Sequence, residues 1–268
     1  MVKLIALDLD GTLLDPQGQI TSEAKAAIAQ ARQAGVKVVL STGRAVPEAA
    51  DFSQRAGCDA LSVCLGGAVL SENDSCRHLW RRDIPKESAR RALELCLNRQ
   101  IELMLFCGEQ IVLDPFSHES LMRTYPYPAF HDNAVVTPDP IAYLEEQGLP
   151  LTKIHGDWNQ PAYPLQELSA LAGVELTSSN DHDFELVPKG INKGRTLAML
   201  ALMWGIPLDQ CAAVGDSEND LAMLKAVGYP VAMGNGCASV KAAARHVAPD
   251  NAHEGVAHAI LWCLEQNQ

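Results

Sequence analysis

Short apolar runs alternate with stretches whose apolar positions recur every three or four residues at both ends of this chain, a rhythm of strands and amphipathic helices. Val2 to Leu7 reads as a buried strand, too brief for a helix. The Ala-rich segment Ser22 to Ala34 reads as a helix closed by Gly35. Val36 to Leu40 is a second buried strand opening into Ser41-Thr42-Gly43-Arg44. A helix from Val46 to Ala56 follows, then a strand from Ala60 to Leu65. Ala68 to Trp80 reads as a hairpin turning at Asn73-Asp74. Near the other end, Asn192 caps a helix reaching Trp204, and Cys211 to Val214 is a strand. Helix Asn219 to Val227, strand Tyr229 to Met233, a helix from Ser239, a short strand near Val247 and a helix from His253 complete the series. This βαβ order predicts an α/β fold, a Rossmann-like doubly wound parallel sheet with right-handed crossovers.

The middle breaks the rhythm. Helix Lys86 to Asn98 and strands Glu102 to Phe106 and Gln110 to Leu113 lead into a Pro-rich stretch, read as irregular, with Pro126, Pro128, Pro138 and Pro140. Strand Leu151 to His155, helix Tyr163 to Leu171 and strands Val174 to Thr177 and Phe184 to Val187 follow. Consecutive strands here look antiparallel. Residues 83–187 are therefore expected to form an inserted α+β domain, with the sheet domain built from residues 1–82 and 188–268.

The chain has 268 residues, 47% of them hydrophobic and 20% charged, as in an ordinary globular protein. Its net charge of −12, from 33 acidic and 21 basic residues, argues against nucleic acid or an anionic membrane as partner. It leaves room for an anionic substrate where a few lysines and a metal reverse the local field. The eight cysteines form no Cys-x-x-Cys pair and read as reduced thiols. No apolar run approaches the ~20 residues of a membrane span, and no signal peptide is evident, so a cytoplasmic location is expected.

Candidate chemistry gathers at strand ends, where open α/β sheets bind ligands. Asp8 and Asp10 leave the first strand together in Asp8-Leu9-Asp10-Gly11-Thr12. Their mutual repulsion calls for a cation, and Gly11 permits a sharp turn whose amides face an anion; a loop with a chance acidic pair is the alternative. Thr42 and Gly43 offer a hydroxyl and amides after strand two; a plain turn is the alternative. Lys193 opens a helix, where a point charge joins the positive end of the dipole, although lysines are commonly solvated. In Gly215-Asp216-Ser217-Glu218-Asn219-Asp220, Asp216 leaves a strand and Asp220 lies one turn on. With Asp8 the two are suited to complete an all-oxygen Mg²⁺ site, with Asn219 as a donor to substrate; an acidic helix start is the alternative.

Together these strings resemble the haloacid dehalogenase-like phosphatases. Leu186-Val187-Pro188-Lys189-Gly190-Ile191-Asn192-Lys193-Gly194, Gly215 to Met223, Ala232-Met233-Gly234-Asn235 and Glu254-Gly255-Val256-Ala257 resemble the Cof-like sugar-phosphatase branch, which carries its α+β cap (subclass IIB) where this chain has its insertion. The resemblance implies that Asp8 attacks phosphorus to form an aspartyl-phosphate and that Asp10 is the acid and base. It places Mg²⁺ on Asp8, the Asp10 carbonyl and Asp216, and phosphoryl oxygens on Leu9 N–H, Thr42, Gly43, Lys193 and Asn219. Asp220 supports the metal site, and Arg44 makes either a structural salt bridge or a substrate contact. The cap would act as a lid selecting the leaving group. The implied activity is Mg²⁺-dependent hydrolysis of a small phosphorylated metabolite, a sugar phosphate above all. A phosphomutase and a non-catalytic phospho-acceptor or phosphate-binding module are the alternatives, and an intact Asp10 argues against the last. The branch usually shows Asn-Gly-Ala where this chain has Gly66-Gly67-Ala68. In the insertion, His118, His131, His155 and His182 are lesser candidates for leaving-group contact, with solvent or structural roles as the alternative, and Glu185 alternates outward from its strand toward either the cleft or water. The four tryptophans read as packing.

Overall fold

The computed structural model describes residues 1–97, 99, 101–157, 164–177 and 183–267. The expected contacts of His182, the packing of Trp158 and the helix start at Tyr163 lie outside the described residues. Two compact units are present, Met1–Trp80 with Asn192–Gln268, and Arg81–Ile191.

The first unit begins with β1 (Leu4–Leu7), α1 (Ser22–Gln33), β2 (Lys37–Ser41), α2 (Val46–Ala56), β3 (Leu61–Cys64), β4 (Val69–Glu72) and β5 (His78–Arg81). The second comprises α3 (Lys86–Leu97), β6 (Glu102–Cys107), β7 (Gln110–Leu113), α4 (Pro115–Thr124), α5 (Pro128–His131), β8 (Ala134–Val136), α6 (Pro140–Gln147), β9 (Leu151–Asp157), α7 (Leu165–Ser169), β10 (Val174–Thr177) and β11 (Asp183–Pro188). The chain then completes the first unit with α8 (Lys193–Met203), β12 (Cys211–Gly215), α9 (Leu221–Ala226), β13 (Tyr229–Ala232), α10 (Ala238–Ala243), β14 (His246–Val247) and α11 (Gly255–Glu265).

The sheet of the first unit runs β14-β13-β12-β1-β2-β3-β4-β5. Its strands are parallel from β14 to β3, and β4 turns back antiparallel on β3. All four residues of β1 are buried, because a central parallel strand is covered on both faces. Leu197, Leu200, Met223, Leu224 and Val240 of α8, α9 and α10 pack against one face. From β1 the chain winds outward through β2 and β3, then later outward the other way through β12, β13 and β14. The reversal falls between β1 and β12, the position where such sheets open a ligand crevice. Local signals are sharp here. Thr21 caps α1 by accepting from Ala24 N (3.2 Å), and Asn192 caps α8 by accepting from Arg195 N (3.0 Å).

The second unit is an α+β sheet of order β10-β11-β9-β6-β7-β8. Side chains of α3, α6 and α7, among them Leu93, Leu144 and Leu168, form its core with Leu103, Leu105, Ile154, Phe184 and Leu186. Two expectations fail here. The Pro-rich stretch is largely regular, holding α4, α5, β8 and α6, because Pro115, Pro128 and Pro140 occupy first-turn positions where their missing N–H is harmless. Asp114 and Asp139 cap α4 and α6 by accepting from Ser117 N (2.7 Å) and Ala142 N (3.0 Å). In addition, β7 and β8 are parallel, α4 and α5 providing the crossover between them. In the first unit, the helix expected from Asn219 starts as a tight turn over Glu218–Asp220 and becomes α-helical only at Leu221.

On the face of the second sheet opposite its core, Lys153 Nζ reaches Glu185 Oε1 at 2.5 Å and both side chains are buried. His155, directly across the ladder from Glu185, approaches the same oxygen at 3.6 Å. Burial works against the Glu185 charge, but Lys153 and then His155 hold its carboxyl well below the usual carboxylate range. Lys153→Met should lower stability in urea melts by about 3–5 kcal/mol, because it strands a buried carboxylate. Adding Glu185→Leu should recover most of that loss. Since the folded value lies below the unfolded one, the contribution of Glu185 is complete above the unfolded value of about 4.3 and declines as pH falls below it.

Candidate active site

Register brings the chemistry together. Leu7 pairs with Val214 across β1 and β12, and Asp8 N–H extends the ladder by donating to Val214 O (3.0 Å). Asp8 and Asp216 therefore leave adjacent parallel strands within one residue of the same level. After Asp8 the backbone makes a wide turn over Leu9–Leu13 in which Gly11 takes φ 77°. Both that φ and the space demand glycine, since a Cβ there would stand 2.5 Å from Asp216 Oδ2.

The centre of the site is Lys193, which is 1% exposed. Its ammonium donates to Asp220 Oδ1 (2.6 Å), Asp8 Oδ1 (2.7 Å) and Asn219 Oδ1 (2.9 Å), using all three of its hydrogens. Burial alone would discharge this lysine, but the Asp220 and Asp8 carboxylates push its pKa above the ordinary value and keep it cationic. Its place at the start of α8 follows from the Asn192 cap, and α8 comes close because Gly194 has no Cβ to strike Ala222 O, 2.3 Å from where one would stand.

Around this cation Asp8, Asp216 and Asp220 crowd together, with one carboxylate oxygen of each within 4.8 Å of the others. One ammonium among three carboxylates leaves an excess of negative charge. Burial and the Asp220 charge raise the Asp8 carboxyl well above its ordinary value despite Lys193. The same two causes push Asp216 up to about 6, against the hydrogen bond it receives from Thr12. This donor set fits a small divalent cation: it is all oxygen, buried and under-neutralised. Asp220 is already occupied, since Oδ1 takes Lys193 and Oδ2 takes the Asp216 and Ser217 N–H groups (3.0 and 3.1 Å). No described residue donates to Asp8 Oδ2 or Asp216 Oδ2, so these are the oxygens available to a metal.

Asp10 has a different environment. Its half-exposed carboxylate stands outside the three-carboxylate cluster, gripped by Arg44 through Nε to Oδ2 (2.9 Å) and Nη2 to Oδ1 (2.7 Å). Arg44 Nη1 is held in turn by buried Glu48 (2.8 Å). In this geometry Arg44 makes a salt bridge to Asp10, and the Asp10 carboxylate lies outside the cluster suited to a metal. Leu9 is buried in the wide turn. Thr42 is fully buried just beyond β2, its Oγ1 accepting from Arg44 N (3.1 Å), with Gly43 next in the chain. Asn219 accepts from both Lys193 and Ser217 Oγ at Oδ1, which leaves its Nδ2 as a donor for an anion.

Gly66 adopts φ 67° and donates its N–H to Thr42 O (3.0 Å), and a Cβ there would meet nothing within 4 Å. Asn tolerates this conformation as well, so the glycine keeps the backbone path and forgoes an amide with room to stand. His118, His131, His155 and Glu185 lie in the second unit, with His131 Nε2 bonded to Tyr125 O (2.8 Å). Trp80 and Trp204 pack on the core of the first unit, and Trp262 stacks on His246.

Two contributors escaped the sequence reading. Thr12 Oγ1 donates to Asp216 Oδ1 (2.9 Å), and its presence in the Asp8–Thr12 string was the available signal. Glu48 anchors Arg44; its spacing of four residues on α2 was a weaker one.

Comparison with known proteins identifies the family. A model of the haloacid dehalogenase-like hydrolase family matches residues 5–260. Phosphatase YwpJ of Bacillus subtilis is 30% identical, the alignment covering 98% of this chain and 100% of that protein. The 5-amino-6-(5-phospho-D-ribitylamino)uracil phosphatase YwtE of the same species is 29% identical, with 97% of each covered. A solved haloacid dehalogenase-like hydrolase from B. subtilis superposes with a TM-score of 0.84 at 29% identity, covering 97% of this chain and 99% of the other. Matched by the family over nearly its whole length, this chain belongs to the haloacid dehalogenase-like hydrolases.

Proposed function

We propose that this hydrolase is a Mg²⁺-dependent phosphatase that cleaves small phosphorylated metabolites, sugar phosphates in particular, through an aspartyl-phosphate on Asp8. The observation that carries this reading is the Asp8 carboxylate bound to a buried ammonium and flanked by a second, metal-suited carboxylate, Asp216. The relative YwtE, named for a phosphorylated ribityl compound, supports a substrate of this size and class.

Asp8 uses an oxygen to attack phosphorus, and the ester P–O bond breaks. The departing alkoxide takes a proton from Asp10, two residues on and at the exposed edge of the site. Asp10 then removes a proton from water as that water attacks the phosphorus of the acyl phosphate, releasing phosphate and regenerating Asp8. Thr42, the Leu9 and Gly43 amides and Asn219 Nδ2 bind and orient the phosphoryl oxygens, on which negative charge is spread in the transition state, and the Lys193 charge attracts them. Asp8, Asp216 and the Asp10 carbonyl would hold the Mg²⁺, which supplies charge neutralisation between an anionic nucleophile and an anionic substrate. Asp220 orients Lys193 and the Asp216 loop. The inserted unit is the part that selects the leaving group.

Asp8→Asn should reduce Mg²⁺-dependent release of phosphate from p-nitrophenyl phosphate at least a thousandfold while the protein stays folded. Turnover near wild-type would remove Asp8 from its role. Mg²⁺ at one hundred times its dissociation constant should stabilise the wild-type protein by about 2.7 kcal/mol in thermal melts, and Asp216→Asn should abolish most of that shift. A panel of phosphorylated sugars and cofactor precursors, assayed for inorganic phosphate, tests the substrate class. An isomerised ester in place of free phosphate would contradict hydrolysis.

A further inference from the structure

The segment between β13 and α10 belongs to none of the groups assigned above, yet it touches both carboxylate-bearing loops. Met233 N–H donates to Gly215 O (3.0 Å) and Cys237 N–H donates to Asp216 O (3.0 Å), so this segment lies along the backbone that presents Asp216. Between them, Asn235 reaches the other loop. Its Nδ2 donates to Gly11 O (2.8 Å), inside the wide turn that follows Asp8 and Asp10. Its Oδ1 accepts from Asn251 N (3.1 Å), and Asn251 Nδ2 donates to Leu14 O (2.8 Å), beyond the far end of the same turn.

We propose that Asn235 is a positioning residue that clasps the nucleophile loop to the Asp216 loop and thereby sets the separation of Asp8 and Asp216. This rests on the phosphatase reading for its effect on turnover and on the geometry for its effect on the metal site.

Three observations support a positioning role over a purely structural one. The two loops meet without slack at Gly11, where even a methyl group would strike the Asp216 carboxylate, so a small displacement of Gly11 is transmitted directly to that side chain. Both polar ends of the Asn235 amide are used, Nδ2 on Gly11 O and Oδ1 on Asn251 N–H, which fixes its orientation. The side chain is exposed, so water can replace its hydrogen bonds in a variant, and removing it creates neither a cavity nor a buried unpaired group. Loss of the clasp therefore loosens geometry while leaving the fold nearly as stable. Misplacement of reacting groups by even an ångström is costly to turnover.

The test uses Asn235→Ala and Asn235→Asp in the full chain. The aspartate keeps the size and the acceptor for Asn251 but has no donor for Gly11 O. Both variants should melt within a few degrees of wild-type. Both should lose at least tenfold in kcat on p-nitrophenyl phosphate with KM changed less than twofold. Mg²⁺ binding, measured by calorimetry without substrate, should weaken severalfold in both. Adding Asn251→Ala to Asn235→Ala should produce little further loss, since the two act through one clasp. Unchanged kcat and unchanged Mg²⁺ affinity in both variants would overturn the proposal, as would a loss of activity matched by a large drop in melting temperature. If the wild-type protein releases no phosphate, the phosphatase reading fails, and the Mg²⁺ titration still decides the clasp.

Discussion

The site depends on one buried ammonium. Lys193 sits at the start of α8 with three oxygen acceptors within 2.9 Å, and its charge offsets the repulsion of Asp8 and Asp220 side by side in an interior of low dielectric. Like charges at this spacing repel strongly, and a single cation reduces but does not cancel the excess. Burial raises the pKa values of Asp8 and Asp216, and the uncancelled Asp220 charge raises them further. A stable protein core would avoid such a deficit. An enzyme that must gather a divalent ion and a phosphoryl group has reason to maintain it.

Two carboxylates only two positions apart are thereby given opposite surroundings. Asp8 is buried against Lys193; Asp10 is half exposed and lies in the fork of Arg44. Divergent environments of this kind let one acid act as nucleophile and another exchange protons. The backbone achieves the divergence with a wide turn at Gly11, and Arg44, anchored by Glu48 of α2, holds the second carboxylate outside the cluster. Asp220 has both carboxylate oxygens bound by protein donors, which tie Lys193 to the Asp216 loop.

The second unit solves a different problem. Its sheet packs three helices on one face and carries the Lys153–Glu185 pair on the other. Buried pairs of this sort contribute little net stability compared with apolar packing, although breaking one strands a charge. The prolines of this unit illustrate how local grammar misleads: read as loop residues, they start helices, because a position lacking an N–H suits the first turn as well as it suits an irregular chain.

What was legible in the sequence were features that depend on near neighbours: the apolar run of β1, the Asn192 cap, the bounds of α2, and the alternation that implies a doubly wound sheet. The candidate residues were legible too, since Asp8, Thr42, Lys193 and Asp216 each stand at a strand end or helix start. Only the tertiary structure decided that Lys193 spends its charge on Asp8 and Asp220, that Thr12 and Glu48 belong to the site, that Arg44 holds Asp10, and that Asn235 reaches Gly11, 224 residues away in the chain. The physical reason is range. Caps, turns and periodicity act across a few residues, whereas the pairing of β1 with β12 and the electrostatics it creates exist only once distant segments share a sheet.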